Sequence, residues 1–421
     1  MNGLNELKYV GILLLWQAFK EGEFMKENVN EIISDIECCG CYTCESTCPV
    51  NAIRIQPNSE GFYMPSADET CIHCGLCVKR CPVFNFKCEN KEDYQVYVGW
   101  SNNVNIRMDS TSGGIFSELA YKIMDNNGYV CGAVYDDKWN VKHIVTNNIG
   151  DIPLLRSSKY VQSRIENCFL LIKEKLELNK VVMIVATPCQ IVGLYNYLDK
   201  EYENLYTADF ICRGVNSPKV FRKFLDLLED KYKSKVSYIK FKNKKYGWNR
   251  FATKIKFENG KTYIKDRYTD RFMKGYLEYN CFMRNSCYNC KFKDFPRIAD
   301  ITLADFWGVE NYVVNIKSYD GVSMIMTNSV KGEKLFKKIT NSIYKEQLKF
   351  DDFIKGDPTI LESPKKTKNR DDFLSRLDRE DFTNLLNSFI PKNGLKKQFK
   401  IDILDAYQYI RLVIKRRKYN K

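Results

Sequence analysis

The sequence predicts an α+β, multidomain chain: a small cysteine-rich unit, a mixed α/β domain with a β-hairpin insertion, and a helical C-terminal tail. Three observations carry this expectation. Most of the 17 cysteines crowd into the stretch 38–88. From about residue 95 the pattern alternates between strands and helices. Residues 236–265 instead alternate with the period of an antiparallel hairpin. The length of 421 residues agrees with two or three domains. The expected boundaries are 1–24, 25–90, 91–178 with 179–345 as two parts of one larger region, and 346–421.

Composition narrows the chemistry. The chain has only two histidines, His73 and His143, which disfavours His-rich zinc or non-haem iron sites. The longest near-apolar run, Val10 to Trp16, has seven residues, against about 20 for a membrane-spanning helix. So many cysteines imply either a secreted disulfide protein or an intracellular thiolate–metal protein, and their spacing decides. Cys38, Cys41, Cys44 and Cys48-Pro49 repeat the spacing of Cys71, Cys74, Cys77 and Cys81-Pro82. Each is C-x2-C-x2-C-x3-C-P, the run that holds a 4Fe–4S cluster in bacterial ferredoxins, where the fourth cysteine ligates the other cluster. One cluster is therefore expected on Cys38, Cys41, Cys44 and Cys81, the other on Cys71, Cys74, Cys77 and Cys48. Zinc uses separated C-x2-C pairs and has no need of a third cysteine two residues on, nor of the repeated Cys-Pro ending. Cys39 lies in a spacer and is expected not to ligate. Clusters and thiols both fit a reducing cytoplasm, and no small-residue cleavage site follows the short N-terminal apolar run.

Residues 1–24 are expected to be a non-native extension. Lys20 to Phe24 spells a translated purine-rich ribosome-binding sequence ahead of Met25, in a chain whose Lys, Asn, Ile and Tyr bias points to an AT-rich genome. A short amphipathic helix is the alternative.

Past the cysteine-rich unit, Tyr94 to Trp100 reads as a strand. Apolar residues at 115, 116, 119, 120, 123 and 124 mark one helix face, which Asn126-Asn127-Gly128 ends. Strands follow at Tyr129 to Tyr135 and around Val141, His143 and Val145, then a helix over roughly Gln162 to Leu178. Val181 to Ala186 is a continuous apolar run and reads as a buried parallel strand. It leads into Thr187-Pro188-Cys189-Gln190 and a helix. Leu205 to Ile211 is a second strand, leading into Cys212-Arg213-Gly214 and a helix from about Pro218. Each unit puts a cysteine at the carboxyl end of a strand, the edge where open α/β sheets bind ligands. In the hairpin stretch, Asn259-Gly260 is a two-residue turn signal. Gly260-Lys261-Thr262 resembles the end of a phosphate-binding loop, but Ile255 stands where its glycine belongs, and no G-x-G-x-x-G follows a strand. Cys281, Cys287 and Cys290 then follow. Cys189, Cys212, Cys287 and Cys290 suffice for a third 4Fe–4S cluster, with Cys281 in reserve; buried structural cysteines are the alternative.

Five segments in this order carry a resemblance: Ser110-Thr111-Ser112-Gly113-Gly114, Ser158 to Ser163, Thr187 to Gln190, Cys287 to Lys293, and Asp300 to Gly308. Over roughly residues 36–345 the chain resembles the coenzyme F-420 hydrogenase/dehydrogenase beta subunit family, with a dicluster ferredoxin fused in front. The resemblance implies an iron–sulfur flavoprotein: a flavin-binding α/β domain carrying FAD, with a third 4Fe–4S cluster beside it. Arg213 departs from the histidine of many relatives and puts a proton-transfer role there in doubt. Bacterial relatives of this length look like parts of polysaccharide-synthesis pathways, so the family name does not fix a deazaflavin as substrate.

For the flavin, Ser110, Thr111, Ser112, Gly113 and Gly114 offer hydroxyls and backbone N–H groups before a helix, a nest for phosphate or an ordinary capped start. Lys159 could supply a cation and Tyr160 a stacking face, with a solvated lysine as the alternative. Gln190 is assigned with them, whereas Asp305-Phe306-Trp307-Gly308 reads as a packed turn. Charge divides the chain. Residues 31–90 hold four Lys/Arg against eight Asp/Glu, while the whole chain is +14. A basic body could receive ferredoxin or another acidic redox protein. Residues 391–421 hold ten Lys/Arg and two Asp, with Ile403, Tyr407, Ile410 and Ile414 on one face and 415–418 all basic. Such a helix could lie on an anionic membrane surface or remain solvated. The expected activity is an oxidoreductase passing electrons from the clusters to the flavin and on to a small organic substrate. An electron-transfer subunit feeding a partner enzyme is the alternative. Nucleic acid is not expected as a partner, because no Walker loop or aromatic-interleaved basic groove accompanies the charge.

Overall fold

A computed structural model describes residues 27–86, 94–313, 318–356 and 358–394, together with 396, 399–404, 406, 407 and 410. The expected start at Met25, Cys88, Ile414 and the basic run 415–418 lie outside the described residues.

Thirteen strands run through the described chain in this order: β1 (Ile53–Pro57), β2 (Tyr63–Ala67), β3 (Gln95–Ser101), β4 (Tyr129–Tyr135), β5 (Val141–Thr146), β6 (Val182–Val185), β7 (Leu205–Phe210), β8 (Val236–Asn243), β9 (Ala252–Phe257), β10 (Thr262–Asp266), β11 (Ile301–Asp305), β12 (Ser323–Thr327) and β13 (Ile343–Gln347). In the cysteine-rich unit, β1 and β2 pair antiparallel beside two short helices, Thr43–Thr47 and Leu76–Lys79. Tyr42 (φ 72°) and Gly75 (φ 69°) precede those helices in left-handed backbone, and the reversal throws Cys44 and Cys77 inward.

The body is built on a mixed eight-stranded sheet in the order β13-β3-β12-β11-β7-β6-β4-β5. Its centre, β4, β6, β7 and β11, is parallel, and β5, β12, β3 and β13 join antiparallel at the flanks. The parallel pairing of β6 and β7 brings their carboxyl ends side by side. Strands β8 to β10 form a separate antiparallel sheet. In its Asn259-Gly260 turn, Gly260 adopts φ +81°, with open space where a Cβ would stand.

One expectation needs correction. The helix expected over 162–178 is formed only at Cys168–Glu177. Residues 161–164 stay extended because their backbone is engaged elsewhere: Gln162 N–H donates to Asn216 O at 3.1 Å and Arg164 N–H to Val141 O at 3.0 Å. Ahead of the segment 391–421, the tail packs on the body. Helices Lys368–Ser375 and Phe382–Phe389 bury Phe373, Leu385, Leu386 and Phe389 against Phe282, Phe272 and the helix Pro218–Tyr232. Beyond them Phe399, Ile403, Leu404, Tyr407 and Ile410 are exposed. No helix among the described residues is long and apolar enough to cross a membrane.

The cysteine-rich unit is seated on the body. Gly193 of helix Pro188–Leu198 lets Cys41 and Thr43 approach the helix backbone, and Arg80 caps the far end of that helix through Asn196 O (2.9 Å) and Asp199. Fully buried Arg370 grips Glu60 through both guanidinium nitrogens, each at 2.5 Å. Phe62 lies under both Arg370 and Arg284.

Candidate functional site

The structure gathers the N-terminal cysteines into two sets. Cys38, Cys41, Cys44 and Cys81 act electrostatically on one another; burial, then the neighbouring sulfurs, push Cys44 well up and Cys81 up to about 12. Cys48, Cys71, Cys74 and Cys77 line one small cavity. Cys48 and Cys81 thus cross between halves. Backbone N–H groups point at the sulfurs, from Val29 to Cys77 (3.3 Å) and from Ala52 to Cys48 (3.2 Å). Four thiolates in one desolvated pocket repel each other unless cations sit among them. The donor set therefore fits iron–sulfur clusters.

A second cavity, of about 670 Å³, opens at the carboxyl edge of β6 and β7. That lies within the range of roughly 300–1,000 Å³ for ligand pockets. Cys189, Cys212, Cys287 and Cys290 all line it. Each of Cys212, Cys287 and Cys290 is raised first by burial and then by the other sulfurs of this set, Cys287 to about 12. Cys189 behaves differently. At the start of helix Pro188–Leu198, it is held low by a hydrogen bond from Cys39, against burial and with help from Thr187 Oγ1 at 3.1 Å. Cys281 is apart: its thiol donates to Tyr279 O at 3.4 Å, and burial alone raises it to about 12.

Most of the residues expected to contact the flavin reach the same cavity, with different roles. Ser110, Thr111, Ser112 and Gly114 line it. Gly113 does not: its N–H donates to Ser323 Oγ at 2.9 Å, and an added Cβ would meet Gly99 O at 2.5 Å. The Ser110 hydroxyl donates to Ile106 O (2.7 Å) and that of Ser112 to Val322 O (2.6 Å), so both hydroxyls brace the loop. Gly114, at φ +96°, opens helix Ile115–Met124 toward the cavity. The Lys159 ammonium is held by the carbonyls of residues 154–157 at 2.9–3.1 Å. Burial brings it down to about 7. Tyr160 lies edge-on to Phe241 and close to Lys242. Gln190 closes a capping box with Thr187 and donates to Ser163 Oγ at 3.1 Å. Trp307 stacks on buried Trp248 at 4.5 Å, while Asp305 pairs with Lys242, so this packed turn also forms cavity wall. Burial works against the Lys242 charge, but Asp305 and Tyr160 together outweigh it and raise the lysine to about 12. Arg213 is tied to Asn280 Oδ1 (2.7 Å) and Leu277 O (3.1 Å).

Several residues in or beside the cavity wall escaped sequence reasoning. Cys39, set aside as a spacer, hydrogen-bonds both Cys41 and Cys189 and so touches both cysteine systems. His143 is buried, and burial followed by the Lys159 charge brings it down to about 4 against the opposing pull of the Arg164 and Val185 backbone. Arg284 donates to Cys38 O and to Gln162 Oε1, which also accepts from Tyr63 N–H. The available signals were position alone: Arg284 stands three residues before Cys287, and Gln162 lies inside a recognised segment.

Among the described residues no three His, Cys, Asp or Glu side chains converge on a single metal ion. Cluster ligands bond to separate irons and stand further apart than ligands of one ion.

Comparison with known proteins agrees with this division of the chain. Residues 37–85 match the 4Fe–4S dicluster domain, and residues 179–352 match the family described as the C terminus of the coenzyme F-420 hydrogenase/dehydrogenase beta subunit. The ferredoxin-type protein NapF of Haemophilus influenzae is 43% identical over 44 residues, 10% of this chain and 25% of that protein. The chain thus spans a quarter of the length of that relative. Among solved structures, a chain of the F-420-reducing nickel–iron hydrogenase complex from Methanosarcina barkeri aligns at TM-score 0.42 and 16% identity, covering 67% of this chain and 91% of that one. A likeness at that level carries no argument.

Proposed function

We propose that this chain, in which a 4Fe–4S dicluster domain precedes the C-terminal region of a coenzyme F-420 hydrogenase/dehydrogenase beta subunit, is an iron–sulfur flavoprotein oxidoreductase acting on a small organic substrate. The observation that carries the reading is the cavity at the β6–β7 edge. Its wall combines the four cysteines of a third cluster, the Ser110–Gly114 loop, and Cys39 and Gly40 of the dicluster unit. Bound 4Fe–4S clusters exchange single electrons, and a flavin accepts or donates two. The chain's own groups do the rest. Cys38, Cys41, Cys44 and Cys81 hold one cluster, Cys48, Cys71, Cys74 and Cys77 the second, and Cys189, Cys212, Cys287 and Cys290 the third. The start of helix Ile115–Met124, with Thr111, Ser112 and Gly114, receives the flavin phosphates. Lys159 fixes the 154–157 turn that borders them. Tyr160 and Trp307 supply aromatic wall, and Lys242 a buried cation beside it.

The test is the composition of anaerobically purified protein: about 12 iron atoms and one flavin per chain. About eight iron atoms removes the third site, and absence of flavin removes the flavoprotein reading. A second reading, an electron-transfer subunit without its own substrate, is favoured by the family's description as a beta subunit. Turnover of an organic substrate by the single purified chain decides between them. A place in polysaccharide metabolism and use of ferredoxin as donor remain part of this proposal.

A further inference from the structure

Arg284 is 1% exposed and sits where the dicluster unit meets the body. Its Nε donates to Cys38 O at 2.7 Å, one terminal nitrogen to Tyr63 O and Gln162 Oε1 at 3.1 Å each, and the other to Met64 Sδ at 2.6 Å. Gln162 reaches Tyr63 N from the other side at 3.0 Å, and Ser286 Oγ donates to the same Cys38 carbonyl at 2.9 Å. The Cys38 loop is thereby fixed against the segment that carries Cys287.

Every one of these acceptors is neutral. Among the described residues no carboxylate lies within ion-pair distance of Arg284, whereas buried Arg250, Arg297 and Arg370 each have one. A guanidinium buried without a counter-charge is costly. The groups that feel its charge are sulfurs: Cys38 on one side, Cys189 and Cys287 on the other. A thiolate-ligated 4Fe–4S cluster carries net negative charge, which grows by one on reduction, so a nearby cation favours the reduced form.

We infer that Arg284 is the shared counter-ion of the two neighbouring iron–sulfur sites, a positioning residue that clamps the Cys38 loop to the Cys287 segment and raises the reduction potential of both clusters. This rests on the cluster assignments proposed above. Arg284 touches neither substrate nor flavin; it acts on electrons through the charge between the two sites. In the set Cys48, Cys71, Cys74 and Cys77, the buried Cys77 feels burial and the sulfurs of its own set, so that cluster serves as an internal control.

The test is EPR-monitored redox titration of full-length, anaerobically purified R284M and R284K. In R284M the midpoint potentials of the Cys38 cluster and the third cluster fall together, while that of the Cys71-side cluster stays at the wild-type value. R284K keeps the charge and holds both potentials near wild type. Unchanged potential of the Cys38 cluster in iron-replete R284M overturns the inference, as does an equal fall of all three. If R284M loses iron, R284K decides: wild-type potentials support the inference, and lowered potentials or lost iron overturn it. About eight iron atoms in the wild type would sink the third-site reading instead. The Cys38 cluster alone would then report on Arg284.

Discussion

Replacing Gly193 by Ala tests how closely the dicluster unit is seated on the helix that presents Cys189. The new Cβ would lie 2.5 Å from Thr43 Oγ1 and 3.1 Å from Cys41 Cβ, where ordinary contact begins at 3.4 Å. Thr43 is fully buried, and its Oγ1 holds Cys41 Sγ at 3.2 Å, so the hydroxyl cannot swing away without losing that contact. Overpacking of this kind costs ~1–3 kcal/mol, and a lost hydrogen bond adds ~1 kcal/mol. Alanine recovers ~0.8–1.0 kcal/mol of helix propensity over glycine. The net expectation is a destabilisation of ~1–3 kcal/mol. Anaerobic urea unfolding followed by cluster absorbance measures it as a lower midpoint. Thr43→Ala removes the clashing oxygen, so the G193A/T43A pair is more stable than the sum of the single variants by at least ~1 kcal/mol. If G193A is as stable as wild type, or the cycle is additive within ~0.5 kcal/mol, the close docking is refuted.

Three further outcomes follow from the same contacts. Replacing Cys287 or Cys290 by Ser lowers bound iron by about four atoms and leaves the two-cluster EPR signal in place; full iron retention removes these ligands from the assignment. His143 is brought from 6.5 to about 4 by burial, so the unfolded chain binds its proton first as pH falls. Its contribution to stability is therefore complete above pH 6.5 and is lost as pH drops toward 4. In H143F the dependence of the urea midpoint between pH 6.5 and 4.5 is shallower, and an unchanged slope contradicts the assignment. Removing Arg370 leaves Glu60, whose side chain keeps 24% exposure, without its partner. R370M therefore costs ~3 kcal/mol, at the low end for a broken buried pair, whereas a midpoint within error of wild type would show that this grip contributes nothing.

Local chemistry made much of this legible in the sequence. The repeated cysteine spacing leaves two sets, and the Cys48 and Cys81 crossing follows from the three-residue gap that a short helix fills. The run Val181 to Ala186 reads as a buried strand because every residue is apolar, Leu205 to Ile211 reads as a second strand, and their adjacency gathers Cys189 and Cys212. What stayed hidden depends on pairings between distant segments. Residues 161–164 have helical periodicity, yet their backbone bonds to Asn216 and Val141 outweigh it. Lys159 reads as a free cation until the 154–157 turn closes on its ammonium. Arg284 contacts residues 122 to 246 positions away, and no local pattern encodes that. The tail's burial likewise depends on Phe282, over ninety residues earlier than Phe373.

The central claim is that electrons pass within one chain between the dicluster unit and the cofactor of the β6–β7 cavity. The most direct measurement is stopped-flow bleaching of bound flavin by reduced ferredoxin, comparing wild type with a Cys74→Ser variant that retains its third cluster and flavin. Dithionite is run as a small donor in parallel. The account predicts bleaching by both donors in wild type, and in the variant bleaching by dithionite with ferredoxin-driven bleaching lost. Equal ferredoxin-driven rates in the two proteins would contradict it, because electrons would then reach the flavin without the dicluster unit.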